Sequence, residues 1–346
     1  MKDGDDIPLC VDLDGTLLKT DLLHETLVLL LCAEPWVAPL LPLWLSGGKA
    51  RFKRRVAGRV ALDAAGLPYR EDLVAWLRAE KEAGRRLVLA TASDGELARA
   101  VAAHVGLFEE VVASDGTTNA GGAAKRDLLV ERFGEKGFDY AGDAPVDLPV
   151  WKAARRAVLV AVPRGLREEA EREAEVEREF PRDAPSARSL VEALHLRQWV
   201  RNLLVLVPVA VLASLRVVGA GALSAAALAF VALGLCTSAI GVLDDLVDLP
   251  SDRRDPTRTK RPFASGALPV KLGALLVPLL LLGSAAVAAF LPSPARILLA
   301  AYLVSAALHT LWPKKYVLAG VLALAFEHTF PVLLGLALAW RAASLP

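Results

Sequence analysis

Residues 7–16 read IPLCVDLDGT. Five apolar or small residues run into Asp12 and Asp14, and Gly15 breaks the stretch. A short continuous apolar run ending in a turn is the pattern of a buried parallel strand. Its polar C-terminal end then opens at the edge of the sheet, where α/β folds place their chemistry. The same pattern recurs at 87–91 (LVLAT), 111–113, 138–142 (ending at Gly142-Asp143) and 157–162 (AVLVAV). Helical stretches alternate with these runs at 71–83, 94–104 and 125–133. That alternation predicts a doubly wound α/β domain over residues 1–165.

Residues 17–70 interrupt this order after the first strand and read as a helical cap over the site. They contain the apolar segment 27–45 and a basic cluster, Lys49, Arg51, Lys53, Arg54 and Arg55. Pro35, Pro39 and Pro42 argue against a clean membrane span through 27–45. Such a cap can still touch a bilayer surface, with the basic cluster against anionic headgroups; a solvated helix face is the alternative reading of those charges. Residues 166–180 (LREEAEREAEVEREF) are charged at helical density and are expected to form a solvated helix. A proline-containing linker follows over 181–187, which makes 166–195 a connecting segment.

The net charge of +1 gives no global field for nucleic acid. It averages two unlike halves, and the mean hydropathy of +0.41 comes mainly from the second. Residues 196–346 predict an all-α transmembrane bundle of about five spans, near 203–218, 222–243, 270–291, 296–312 and 316–340. The preceding LRQWVRN (196–202) looks interfacial. Arg253, Arg254, Arg258, Lys260, Arg261 and Lys271 lie in one loop, and Lys314 and Lys315 in another. The positive-inside rule puts both loops, and the soluble half with them, in the cytoplasm, with a bacterial inner membrane as the host. Residues 1–6 are mostly acidic and unlike a signal peptide. Cys10, Cys32 and Cys236 are too few and scattered for a disulfide framework and suit a reducing compartment.

Asp12 at a strand end is placed to attack a phosphoryl group, and Asp14 to protonate the leaving oxygen and later activate water. Such a site also needs a divalent cation, further carboxylates to hold it, and a hydroxyl and an ammonium for the phosphoryl oxygens. Thr91, Lys125, Asp143 and Asp147 follow in that order. Ser93 and Asp94 read as helix-capping residues, and His104 as structural. These four motifs (DLDGT from Asp12, LAT ending at Thr91, Lys125, and GDAPVD with Asp143 and Asp147) resemble the haloacid dehalogenase (HAD) superfamily over about 7–162. The resemblance implies a phospho-aspartate on Asp12, acid–base work by Asp14, and phosphate contacts from Thr91 and Lys125. It also implies Mg²⁺ on Asp12, Asp143, Asp147 and the backbone carbonyl of Asp14.

A second acidic group, Asp244, Asp245, Asp248 and Asp252, lies between two apolar runs in DDLVDLPSD. If the preceding helix continues, Asp244, Asp248 and Asp252 share one face. Carboxylates so close are tolerable around divalent cations, and the arginines and Lys260 downstream offer donors to a diphosphate. This region resembles the UbiA family of intramembrane prenyltransferases, whose first motif, NDxxDxxxD, is followed by an RP-x-x-x-G turn, here Arg261-Pro262 and Gly266. The resemblance implies Mg²⁺ on the four aspartates and a polyprenyl substrate. Arg201, Asn202, Arg258, Lys260 and Arg261 would contact that substrate. Asp244 stands in place of the family's Asn, and Asp255-Pro256 stands where one branch carries His-Pro. The family has nine helices and a second aspartate motif; Glu327 and His328 do not match it. Truncation, a partner chain that completes the bundle, or a degenerate transferase would each account for this.

The two resemblances together imply a UbiA-like transferase, of the prenyl or polyprenyl-phosphate phosphoribosyl type, fused to a Mg²⁺-dependent phosphatase. Its expected partners are a membrane lipid or polyprenyl (di)phosphate and a phosphorylated small molecule. The alternatives are a phosphatase tethered by an inactive UbiA-like anchor and a non-catalytic scaffold that binds a polyprenyl lipid.

Overall fold

The computed structural model describes residues 7–182, 186–311 and 317–344. The acidic residues 1–6, Pro185 of the expected linker, and Lys314 and Lys315 lie outside these ranges. The described chain divides into two units. The first comprises residues up to 185 together with 253–259 and 264–270; the second comprises 186–252, 260–263 and the chain from 271 onward.

The first unit is built on six parallel strands: β1 (Leu9–Val11), β2 (Leu87–Asp94), β3 (Glu110–Ser114), β4 (Asp139–Gly142), β5 (Arg156–Val160) and β6 (Glu175–Phe180). Their order is β3-β2-β1-β4-β5-β6. β1 pairs with β2 through Leu9–Leu87 and Val11–Leu89, and with β4 through Leu9–Asp139 and Val11–Ala141. Because side chains alternate across a strand, each strand feeds two cores. Leu9, Val11, Leu87, Leu89, Val158 and Val160 pack on one face. Cys10, Val88, Ala90, Tyr140, Ala157 and Leu159 pack on the other. Burial on both faces explains why these strands read as unbroken apolar runs. The strand order reverses between β1 and β4, so a crevice opens at their C-terminal ends.

Helices join the strands: α1 (Leu22–Ala33), α2 (Leu41–Ser46) and α3 (Lys49–Ala57) form the cap insertion, α4 (Glu71–Glu82), α5 (Gly95–Val105) and α6 (Ala123–Phe133) the expected layers, and α7 (Leu148–Ala153) a further short helix that the sequence reading did not include. A 3₁₀ segment, Pro35–Leu40, joins α1 to α2. The cap has its own small core of Leu30, Val37, Trp44, Phe52 and Val56.

One expectation fails. Residues 166–180 do not form a single helix: α8 (Arg164–Glu173) ends, and β6 adds an edge strand beside β5. In EVEREF, apolar or arginine residues alternate with three glutamates; a register shift against β5 lets Val176 pack into one core and Phe180 into the other. That is period 2 hidden under a charge density typical of exposed helices. Charge on an edge strand also discourages pairing with another chain.

The returning segments belong to the first unit through specific contacts. Arg253 makes a bidentate ion pair with buried Glu25, at 2.7 and 3.0 Å, and Arg254 pairs with Asp63 at 2.7 Å. Gly266, at φ +74°, lies where a Cβ would press on Lys19 and Pro68.

The second unit is helical: α9 (Ala187–Ala193), α10 (Trp199–Asn202), α11 (Leu206–Ser214), α12 (Ala220–Val247), α13 (Leu249–Arg254, whose last two residues belong to the first unit), α14 (Val270–Ala288), α15 (Ser293–Leu311) and α16 (Val317–Ser344). Among the described residues, four helical stretches are long and apolar enough to cross a membrane: Leu196–Ser214, Ala220–Val247, Val270–Ala288 and Ser293–Leu311. The fifth expected span forms α16, interrupted by Pro331, and is not among those four. The first span begins earlier than 203, because LRQWVRN is already helical.

Candidate functional site

β1 leads into Asp12, with Asp14 two residues on; β4, ending at Gly142, leads into Asp143, and the 3₁₀ segment Pro145–Asp147 supplies Asp147. Asp12 is buried, and its Oδ1 accepts from Leu13 N–H at 2.8 Å and faces Lys125 Nζ at 2.9 Å. Lys125, from the first turn of α6, also donates to the Tyr140 hydroxyl at 2.7 Å, and that hydroxyl donates to Asp147 Oδ1 at 2.8 Å. Asp147 Oδ2 accepts from the backbone N–H groups of Asp143 and Ala144. Asp143 is held by Thr16 Oγ1 at 3.0 Å. Gly15, at φ +82°, permits this crowding: a Cβ there would overlap the Asp143 carboxylate.

The carboxylates of Asp12, Asp143 and Asp147 offer ligand atoms within 4.8 Å of one another. Three carboxylates face one ammonium in a buried site; fully ionised they would carry two uncompensated negative charges, which a divalent cation with a preference for oxygen would offset. The proton affinities carry the same signature. Burial pushes the Asp12 carboxyl well above the usual range, opposed by Lys125 and reinforced by Asp147. Burial and then the Asp147 charge push Asp143 up to about 7. Burial works against charge on Lys125, but Asp12 and Asp147 outweigh it and raise its pKa.

A pH dependence follows. Asp143 titrates at about 7 when folded and near its ordinary 3.8 when unfolded. A group with a raised folded pKa contributes stability that is fully present below the unfolded value and lost as pH rises through the folded one. In a chelator, the melting temperature of the protein should therefore decline between about pH 4 and pH 7. Mg²⁺ should remove most of that decline, since binding replaces the proton. Differential scanning calorimetry with and without Mg²⁺ checks both parts; a flat profile in chelator counts against the assignment.

Asp14 does not join the three-carboxylate group through its side chain. Its Oδ1 accepts from Leu22 N–H at the start of α1 at 2.7 Å, and its Oδ2 from Ser93 Oγ at 2.5 Å, with Thr91 Oγ1 at 3.5 Å. Burial, then the Asp21 charge, raises its pKa. Thr91 is fully buried at the end of the regular part of β2. Asp94 caps α5 as expected, but Ser93 does not: it turns to Asp14. Sequence reading also passed over Tyr140 and Thr16, and took Lys53 only as part of the basic cluster. Tyr140 is a strand residue whose hydroxyl bridges Lys125 and Asp147. Lys53 comes from α3, and its Nζ donates to Ala92 O at 2.6 Å and Asn119 Oδ1 at 3.1 Å. The signal for Ser93 was its place two residues after Thr91. No pattern marks Tyr140. His104 stacks on Tyr69 at 5.6 Å, a structural contact.

In the second unit α12 does continue through Asp244 and Asp245. Asp245 and Asp252 are buried and converge on one guanidinium: Arg261 Nη1 lies 3.1 Å from Asp245 Oδ1 and 2.8 Å from Asp252 Oδ2. His195 Nε2 is 3.0 Å from Asp245 Oδ2. Asp244 and Asp248 are half-buried. Arg258 is exposed and pairs with Asp255 at 3.5 Å, and Lys260 is exposed. Arg253 and Arg254, read as diphosphate donors, are instead paired with Glu25 and Asp63 in the first unit. Arg201 Nη1 lies 3.3 Å from His328 Nε2, so the first and last helices bring these two together. Asn202 is fully buried and donates to Thr237 Oγ1 at 3.0 Å. Arg201 Nε and Asn202 Oδ1 are buried without a hydrogen-bond partner among the described residues. Glu327 lies 3.8 Å from His309.

Comparison with known proteins adds the following. The chain is 33% identical over 334 residues to the uncharacterized protein y4nM of Sinorhizobium fredii, across 95% of this chain and 63% of that one. It is 34% identical over 121 residues to decaprenyl-phosphate phosphoribosyltransferase of Mycolicibacterium smegmatis, across 33% of this chain and 36% of that one. It thus spans less than two thirds of the length of either relative. Among solved structures, a HAD family hydrolase of Salmonella enterica serovar Typhi aligns at 14% identity over 50% of this chain and 68% of its own, with a TM-score of 0.36. A phospho-aspartyl intermediate analogue of phosphoserine phosphatase aligns at 13% over 51% and 93%, with a TM-score of 0.34. At residues 205–345 the chain carries a domain that matches the UbiA prenyltransferase family.

Proposed function

We propose that the protein is a membrane enzyme of two parts: a Mg²⁺-dependent phosphatase of the phospho-aspartate type and a UbiA-like transferase, acting in sequence on a polyprenyl-phosphate sugar lipid. The observation that carries the first part is the gathering of Asp12, Lys125, Asp143 and Asp147 at the switch point between β1 and β4, with Asp14 beside them. Asp12, Asp143, Asp147 and the backbone carbonyl of Asp14 would hold Mg²⁺. When bound, it masks the charge of the phosphoryl oxygens. Asp12 then attacks phosphorus through a carboxylate oxygen, and the phosphorus–oxygen bond to the leaving group breaks. Asp14, whose raised proton affinity suits an acid at neutral pH, protonates that oxygen. It next takes a proton from the water that hydrolyses the phospho-aspartate. Lys125 and Thr91 hold the phosphoryl oxygens. Ser93 orients Asp14, and Leu22 N–H ties Asp14 to the cap.

The second part rests on the family match and on the buried, unpartnered Arg201 Nε and Asn202 Oδ1, which suit a polar headgroup. Asp244, Asp245, Asp248 and Asp252 would bind Mg²⁺ there, and Arg258, Lys260 and Arg261 the diphosphate. The relatives named as decaprenyl-phosphate phosphoribosyltransferases support a phosphoribosyl donor. Transfer of 5-phosphoribose leaves a 5-phosphate, a monoester of the kind that the soluble site would remove. In this reading the soluble unit faces the cytoplasm of a bacterium, and a partner chain can complete the bundle.

A tethered phosphatase with an inactive anchor is favoured by one observation: Asp245 and Asp252 already share contacts with Arg261, and Asp245 also meets His195. Two assays on the purified full chain separate the readings. With Mg²⁺ it should hydrolyse an aryl phosphate. It should also transfer from phosphoribosyl or prenyl diphosphate to a polyprenyl acceptor, and Asp245→Asn or Asp248→Asn should lower that transfer by about 100-fold or more while leaving hydrolysis intact. Hydrolysis without any transfer selects the tethered phosphatase; neither activity refutes both.

A further inference from the structure

The cap presents an apolar surface that neither activity uses. Between α1 and α3 the chain runs PWVAPLLPLWLS, residues 35–46. Its inner side chains, Val37 and Trp44, are buried against Leu30, Phe52 and Val56. Its outer side chains are bare: Trp36 is 67% exposed and Leu43 68%, with Leu40 and Leu45 also exposed. Pro35, Ala38, Pro39 and Pro42 add to the same exposed surface. The segment is therefore a folded element anchored from below, with its outer face left without cover. A contiguous apolar surface of this kind on a soluble unit marks an interaction site.

Its surroundings select the partner. Residues 35–62 contain no acidic side chain and six basic ones. Lys53 turns inward to Ala92 and Asn119, and Arg54, still exposed, is engaged with Asp94 and Glu96. Lys49, Arg51 and Arg55 remain exposed. The Arg55 guanidinium lies over the Trp44 ring, 4.8 Å from its centroid, and so borders the apolar element. An apolar face rimmed by cations is complementary to a bilayer surface with anionic headgroups. The same chain carries four helices able to cross a membrane, so a bilayer is always at hand. The segment cannot itself cross: six 3₁₀ residues and six helical ones reach about 21 Å, short of the roughly 30 Å hydrocarbon core.

We infer that residues 35–46 form a membrane-docking element that lies in the interface of an anionic leaflet, with Trp36, Leu40, Leu43 and Leu45 among the acyl chains and Lys49, Arg51 and Arg55 on the headgroups. The cap that supplies Leu22 N–H to Asp14 is then fixed to the lipid surface. This inference does not depend on either activity proposed above.

The test uses the full chain in lipid nanodiscs, with Cys32 replaced by serine; Cys10 and Cys236 are buried. An environment-sensitive fluorophore is attached at Leu43→Cys, at Leu40→Cys and, as a control on α8, at Glu168→Cys. Quenchers are a nitroxide on the lipid acyl chain and iodide in the water. In phosphatidylcholine containing phosphatidylglycerol, the labels at 40 and 43 should be quenched by the nitroxide and protected from iodide, and the label at 168 the reverse. The triple change K49E, R51E and R55E should abolish the dependence on phosphatidylglycerol while preserving the melting temperature; should it lower the melt, R51E alone replaces it. Iodide quenching at 43 equal to that at 168 overturns the inference. Protection from both quenchers also overturns it, because the cover is then protein. Disulfide-linked dimers of the unlabelled Leu43→Cys chain would identify that cover as a second copy.

Discussion

Asp12→Asn should lower Mg²⁺-dependent aryl-phosphate hydrolysis by roughly three orders of magnitude or more, the scale seen when a nucleophile is removed. The substitution keeps the shape of the side chain and its acceptor for Leu13 N–H. It removes the carboxylate that Lys125 faces at 2.9 Å and the oxygen proposed to form the covalent intermediate. It should cost little stability, because burial already disfavours the charged form of Asp12, with Lys125 opposing. An uncharged isostere suits such a place. The expected result is thus a dissociation: activity lost, melting temperature held or raised. A melt that drops in step with activity would make Asp12 a structural residue and remove the nucleophile from the mechanism.

Asp139→Ala should destabilise the first unit by about 3 kcal/mol, the lower end for breaking a buried ion pair. Asp139 is fully buried at the start of β4. It accepts from Arg85 Nη2 at 2.5 Å, from Arg155 Nε at 2.9 Å and Nη2 at 2.6 Å, and from Arg156 N–H at 3.0 Å. Arg85 keeps Glu80 and Glu177 after the change, which moderates the loss, and Arg155 is near enough to solvent to rehydrate. The cost is what remains: a buried backbone N–H without an acceptor and a weakened tie between the start of β4 and the residues leading into β2 and β5, Arg85 and Arg155. Urea unfolding followed by near-ultraviolet circular dichroism measures it. Asp139→Asn should cost less than the alanine change, because it still accepts from Arg156 N–H. A loss below about 1 kcal/mol for Asp139→Ala would mean that the network is rehydrated as cheaply as a surface pair.

Both positions illustrate what a sequence can disclose. Asp12 was legible because a strand end, a glycine turn and a two-residue spacing all point to one chemistry. Lys125 and Asp143 were legible by their order along an α/β pattern. Asp139 and Tyr140 were not. Each lies inside an apolar run, and its role depends on partners brought from other elements, Arg85 and Arg155 for one, Lys125 and Asp147 for the other. β6 was missed because dense charge outweighed a weak alternation; only the neighbouring β5 decides for a strand. The aspartates at 244–252 were legible as a group. That Arg261 and His195 would fill the space between two of them was not, since His195 lies 50 residues upstream of Asp245.

The Arg253–Glu25 pair has a consequence for biosynthesis. The two residues are 228 positions apart in the chain, and Glu25 is 1% exposed. As the polypeptide leaves the ribosome, the sheet and its cap emerge well before the arginine that balances this carboxylate. Translation must first pass through the apolar helices Leu196–Ser214 and Ala220–Val247. Completion of the first unit is thus expected to wait on synthesis of the second hydrophobic helix, and a nascent chain arrested before residue 253 should remain sensitive to protease near the cap.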